Sequence, residues 1–338
     1  KKLLVVFTAI LVVAFAAPAF ATDATWSGEF DFGGITAFDK DDIATAWGNA
    51  YADVTLDVDD YNSIILEFLW QSGGNWGVGY AGLDTDLGAV LGLPVGLIMS
   101  GGYINVWSNK YEVTGHATER VDVRSNIGTS PMFVAAVDVG MATIKAGVGF
   151  EAYDAVTPAS TQDYAVYVDT PGIADLVDVE AGYFIANNDD FKGRFMASAK
   201  ATGIADMIDV AVGFAYDAAA DGGVGMEKWF WGAGVKANVS MFGIGVGVSG
   251  QEEAAVNILT VDANVEITDE FGIDVGLGLG LSDALDTFGG FEPSVYYKTG
   301  VSTWRLGYLY QASDVNGYAY CAPTSAPVDG SGLFLNCG

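Results

Sequence analysis

The sequence predicts an all-β fold, a transmembrane antiparallel β-barrel of 16–18 strands with short periplasmic turns and long extracellular loops. Three observations carry this. First, apolar residues recur at period two along most of the chain. Between 208 and 216, Ile208, Val210, Val212, Phe214 and Tyr216 point one way and Asp209, Ala211, Gly213 and Ala215 the other, which is the strand signature. Second, charge keeps to one face. Asp53, Asp57, Glu67, Lys145, Asp178, Glu180, Asp209, Lys236, Asp262, Glu266, Asp274, Lys298 and Arg305 all fall opposite the apolar residues. A charge on a lipid-facing position would cost roughly 2–4 kcal/mol at the midplane. Third, short turns alternate with longer polar connections, as they do in barrels that cross a membrane.

Taken in order, Trp26, Gly28, Phe30 and Phe32 open the first strand, and a loop with Asp39, Asp41 and Asp42 follows. Ala50 to Val58 returns, Asp59-Asp60-Tyr61-Asn62 turns the chain, and Ile64, Leu66, Phe68 and Trp70 climb again. A weaker strand over Val78 to Asp84 and another from Val95 to Trp107 come next; without this pair the count would fall from 18 to 16. Ser108 to Ser130 is the longest early loop. Strands resume at Phe133, Ile144, Tyr164, Val177, Phe195, Ile208, Trp229, Ile244, Leu259, Ile273, Val295 and Trp304, and Gly332 to Asn336 begins one more. Aromatics gather beside the long loops (Trp70, Tyr80, Trp107, Phe150, Tyr164, Tyr183, Tyr216, Trp229, Trp231, Tyr308, Tyr310), as a girdle at one membrane interface would.

An internal repeat supports the hairpin parse. Gly172-Ile173-Ala174-Asp175-Leu176-Val177-Asp178-Val179 returns 31 residues later as Gly203-Ile204-Ala205-Asp206-Met207-Ile208-Asp209-Val210. That period suits two strands, a short turn and a longer connection. A propeller blade needs four strands in about 40 residues, so it does not fit.

The 338 residues carry a formal charge of −29, with 51% hydrophobic and 13% aromatic residues. The acidity argues against nucleic acid as a partner, and the hydrophobic content argues against disorder. Positive mean hydropathy, +0.32, beside that charge is expected where grease and charge occupy separate faces. Lys1 and Lys2, the apolar run Leu3 to Ala17 and Ala19-Phe20-Ala21 read as a cleaved signal peptide over residues 1–21. The barrel is then expected over 22–338, its last strand either cut short or inserted by another route. After the signal, the charge-free stretch Leu87 to Met99 holds three glycines and a proline and is too short to span a bilayer as a helix. A membrane chain without helices must be a closed barrel, because backbone groups in lipid have to pair within the protein.

Signal peptide, alternating strands, aromatic girdle and acidity together resemble the general porins of the bacterial outer membrane. The resemblance covers the mature chain and is one of architecture. It implies a water-filled channel for passive diffusion of small hydrophilic solutes and ions, embedded in outer-membrane lipid, with a homotrimer as the assembly. It also implies that the loop after the fifth strand, Ser108 to Ser130, folds inward and narrows the pore. Many such barrels end on an aromatic residue, whereas this chain ends at Cys337-Gly338.

Within that loop, Lys110, Arg120 and Arg124 are candidates to oppose Glu112, Glu119 and Asp122 across a constriction, since opposed charges order water and filter polar solutes. An exposed loop is the alternative. Lys145, Arg194, Lys200, Lys236, Lys298 and Arg305 are the candidate basic wall. The excess of acid over base on the inward parity predicts a modest cation preference. His116, the single histidine, reads as a solvated loop residue before it reads as a general base. The acids Asp39, Asp41 and Asp42, with Asn187 to Asp190, read as solvated carboxylates before a weak cation site. Cys321 and Cys337 allow one intramolecular disulfide and show no metal-site spacing. No catalysis, metal or cofactor is expected. The rival reading is a structural or adhesive surface barrel with a plugged lumen.

Overall fold

The structure, a computed structural model, describes residues 23–37, 44–71, 75–107, 126–150, 162–173, 176–185, 193–218, 229–251, 257–281, 288–311 and 330–337. In chain order the elements are β1 (Asp23–Ala37), β2 (Ala44–Asp57), β3 (Asn62–Gln71), β4 (Asn75–Asp86), α1 (Leu87–Leu91), β5 (Gly96–Trp107), β6 (Asn126–Asp138), β7 (Thr143–Phe150), β8 (Gln162–Ile173) and β9 (Val177–Ile185). They continue with β10 (Arg194–Ile204), β11 (Ile208–Asp217), β12 (Trp229–Val239), β13 (Phe242–Gln251), β14 (Asn257–Glu266), β15 (Phe271–Gly280), β16 (Gly290–Thr299), β17 (Ser302–Gln311) and β18 (Gly330–Cys337). Among the described residues no helix is long and apolar enough to cross a membrane.

All strands lie in one sheet of 18, and each pairs antiparallel with its neighbours in sequence. β1 pairs with β2 on one side and with β18 on the other, the latter from Phe32↔Cys337 to Ala37↔Gly332. The pairings therefore run round a ring, which removes the free edge that an open sheet presents. The stretch Gly332 to Asn336, read as the start of a strand, lies inside β18 and joins β17 to β1. The weak pair that left the count open is two strands, β4 and β5, in register from Ala81↔Tyr103 to Asp86↔Ile98. α1 turns the chain between them. Asp86 caps it by accepting from the Ala89 amide at 2.9 Å, and Gly92 ends it in a left-handed conformation, φ 63°. β6 begins at Asn126, so the connection after β5 is shorter than Ser108 to Ser130.

The two faces separate as the period-two pattern requires. On the outward parity Val166, Phe214, Ile244 and Leu306 are exposed, while Tyr167, Met196 and Ala211 on the inward parity are fully buried. Val54 and Leu56 depart from this: they are buried on the outer parity, packed with Ile64, Leu66 and Phe68. Tyr183 and Tyr216 are exposed near the long connections, as a girdle needs. Tyr80 corrects the expectation. A bulge between Glu67 and Phe68 pairs Glu67 with Tyr80 but Phe68 with Val78. One extra residue reverses the parity, so Tyr80 packs against the inner cluster. Aromatics also mark the short-turn side, where Phe242, Tyr297 and Trp304 are exposed and Trp304 meets Phe32 edge-on, ring centres 5.7 Å apart.

The internal repeat is a turn held by a carboxylate. Gly172 and Gly203 both have φ 68°. Each donates its amide to an aspartate six residues on, Gly172 to Asp178 Oδ1 at 2.7 Å and Gly203 to Asp209 Oδ1 at 2.8 Å. The shared Gly-x-x-x-x-x-Asp spacing is thus a local hydrogen-bond requirement. The β2–β3 turn is held similarly: Asp59 Oδ1 accepts from the amides of Tyr61 at 2.8 Å and Asn62 at 2.9 Å. These bonds favour the charged carboxylate. The Tyr61 amide, followed by the Asn62 side chain, holds Asp59 below the ordinary aspartate range.

Two outcomes follow for the turns. Asp209→Ala leaves the Gly203 amide without its acceptor and should lower stability by about 1 kcal/mol, with Asp209→Asn losing less; the urea midpoint in detergent measures both. Because the folded pKa of Asp59 is depressed, its contribution is present above about pH 3.9 and is lost as pH falls through the lower folded value. The Tyr61 and Asn62 amide resonances should titrate below the ordinary aspartate midpoint and stop titrating there in Asp59→Asn.

Candidate functional site: the inner wall

Register across the ring puts the inward side chains into three sectors. Around β2–β4, Asp53 stands opposite Glu67, and Glu67 opposite Tyr80. Two like charges on adjacent strands of a wall are tolerated where water reaches them and oppose each other where it does not.

The second sector, β5 to β11, holds an apolar cluster. Ile104, Met132, Val134, Ala165, Tyr167, Phe184, Met196 and Ala215 form one buried cluster with Tyr80 against it. A carboxylate sits within this wall. Glu180 is 1% exposed. The Tyr167 hydroxyl donates to its Oε2 at 2.6 Å, and the Ser198 hydroxyl donates to its Oε1 at 2.6 Å. Both are short, charge-assisted bonds. Lys145 Nζ lies 5.6 Å from the Tyr167 ring centre, within cation–π range. A buried carboxylate needs such partners, since desolvation otherwise disfavours its charge.

The third sector, β12 to β17, is charged. Lys236, Gly245, Asp262, Gly276 and Glu292 lie side by side across five strands. The next inward row toward the short turns is Asn264, Asp274 and Ser294, and the one after it Glu266, Gly272, Tyr296 and Arg305. Glycines alternate with larger residues along these strands. Here they are room for neighbouring side chains: a Cβ on Gly245 would meet the Asp262 carboxylate, and one on Gly272 the Tyr296 ring. Arg305 Nε is 3.6 Å from Asp274 Oδ2. The Tyr296 ring carries Lys298 Nζ at 5.2 Å and the Arg305 guanidinium at 5.8 Å. Together these residues line a polar niche of about 140 Å³.

Of the six candidate wall bases, Lys236, Lys298 and Arg305 meet in this niche. Lys145 stands apart on β7 over Tyr167. Lys200 on β10 faces Asp178 and Ala211, and Arg194 is the first residue of β10, opposite Phe184 and Asp217. The constriction candidates Lys110, Glu112, Glu119, Arg120, Asp122 and Arg124 lie outside the described residues, as do His116, Cys321, the loop acids and residues 1–21. Among the described residues no group of His, Cys, Asp and Glu is gathered to hold a metal ion.

Sequence reasoning did not single out Tyr167, Ser198, Ser294 or Tyr296. One signal was available for the tyrosines. Tyr167 and Tyr296 sit on the parity that otherwise carries charge, and an aromatic there is a wall residue rather than part of the girdle.

No family model matches the chain, and no curated protein matches it. Solved structures do. A triple mutant of the Rhodopseudomonas blastica porin aligns with a TM-score of 0.58 at 12% identity, over 93% of this chain and 99% of that one. A second mutant of that porin aligns with a TM-score of 0.57 at 9% identity over the same shares. The fold is porin-like. At these identities the likeness concerns the porin fold alone, and the charge pattern of this wall has to be read from its own residues.

The Tyr167–Glu180–Ser198 network makes a stability prediction for this porin-like barrel. Tyr167→Phe removes a hydroxyl donor from a buried carboxylate and should cost about 1–3 kcal/mol. The urea midpoint should fall accordingly, and Ser198→Ala should fall with it.

Proposed function

We propose that the chain is an outer-membrane channel of porin type, exported through a signal peptide at residues 1–21, that passes small hydrophilic solutes and ions with a preference for cations. The observation that carries this is the ring of paired strands whose outward side chains are apolar and exposed while its charged side chains point inward. An apolar belt suits lipid, and a charged lining suits water. The cation preference follows from the lining. Asp53, Glu67, Asp169, Asp178, Asp209, Asp262, Asp274 and Glu292 share the inward parity with fewer bases, Lys145, Lys200, Lys236, Lys298 and Arg305. Charge on the wall concentrates the opposite ion. The constriction belongs to this proposal on sequence grounds, through Lys110, Glu112, Glu119, Arg120, Asp122 and Arg124. The homotrimer belongs to it through the porin resemblance. The chemistry asked of the chain is diffusion, with no reacting group.

One observation favours a second reading, a structural or adhesive surface barrel with a plugged lumen. Part of the inward wall from β5 to β11 is an apolar, buried cluster, which is how a filled wall looks and not how a wetted one does.

Conductance of the refolded protein in a planar bilayer decides between them. Stable open steps and a reversal potential of cation-selective sign are expected in a salt gradient. Asp53→Asn with Glu67→Gln should move that potential toward zero. A protein that inserts and stays closed overturns the channel and leaves the surface barrel.

A further inference from the structure

We propose that the niche between β12 and β17 is a binding site for a small zwitterion of the amino-acid type, met as the solute moves along the wall; this rests on the channel reading. The site is built by register. Three inward rows from six strands converge on it, and the glycines in those rows leave its side chains the space to lie flat. Its volume, about 140 Å³, is many times the ~10–15 Å³ that a single water needs, so it has room for a small solute.

The lining selects among solutes. Asp262, Glu266, Asp274 and Glu292 face Lys236, Lys298 and Arg305, so both signs are present within one niche. A simple anion meets more carboxylates than cations. A metal ion lacks a gathered ligand set among the described residues. A sugar ring wants a bare aromatic face, and that of Tyr296 already has Lys298 and Arg305 against it. A zwitterion uses both signs together, its carboxylate toward the Arg305 fork and its ammonium toward Asp274 and Glu292.

An independent observation points to a ligand. Ser294 lines the same niche, is 5% exposed, and its Oγ has no hydrogen-bond partner. Buried hydroxyls are satisfied in the great majority of cases. A solute carboxylate seated by Arg305 would accept from this one.

The test measures binding by calorimetry on the refolded full-length chain in detergent, with L-alanine as the probe and acetate and methylammonium as its two halves. Bilayer conductance is recorded on the same preparation. Alanine is expected to bind, with each half at least about tenfold weaker. Ser294→Ala and Arg305→Gln should each weaken alanine about tenfold; if Arg305→Gln does not fold, Ser294→Ala carries the test. A conducting protein that binds no alanine, or binds it no better than its halves, overturns the niche and leaves the channel standing. A closed protein that still binds alanine supports the niche and overturns the channel.

Discussion

A backbone amide that faces hydrocarbon has no water to bond to, and that constraint orders the rest of this molecule. It is met here by pairing every strand on both sides, with β1 bonded to β2 and to β18. Once the ring is set, strand geometry leaves each residue only two directions. The sequence obeys this for eighteen strands by keeping charge on one parity. Polar residues cannot be moved one place along a strand without sending them to the wrong solvent. The bulge at Glu67 and Phe68 shows the rule from the other side: one added residue turns Tyr80 inward.

The inner wall is not uniform. From β5 to β11 it carries an apolar cluster and a buried carboxylate with two hydroxyl donors. From β12 to β17 it is a charged surface organised over glycines. A solute moving along such a lumen would meet grease on one side and ions on the other, and polar solutes would be drawn to the charged side. The charged niche lies in the half of the wall nearer the short turns, because Lys236, Asp274, Lys298 and Arg305 stand only a few residues from them.

Much of the fold was legible because it repeats a local rule. Period two in β11 and β12, the turn aspartates and the doubled Gly-Ile-Ala-Asp segment each declare themselves within a dozen residues. The site was less legible because it is assembled by register. Lys236 and Arg305 are far apart in sequence and meet only through four intervening strands. Parity shows that each faces inward, but no spacing shows that they share a niche. The glycines of this wall depend on register too: the residue that fills the space at Gly272 is Tyr296, on the next strand. Tyr80 was misplaced because a bulge is a single-residue event with no periodic signature.

The seam between β1 and β18 has a consequence for how such a chain becomes a barrel. Residues 32–37 find their second partner only in residues 332–337. That contact spans nearly the whole sequence, and long-range pairing of this kind is slow to form. Until the last strand arrives, the first presents an unbonded edge and an apolar face, both invitations to aggregation. The chain is therefore exposed to aggregation until the ring closes, and its final strand acts as the latch of the whole ring.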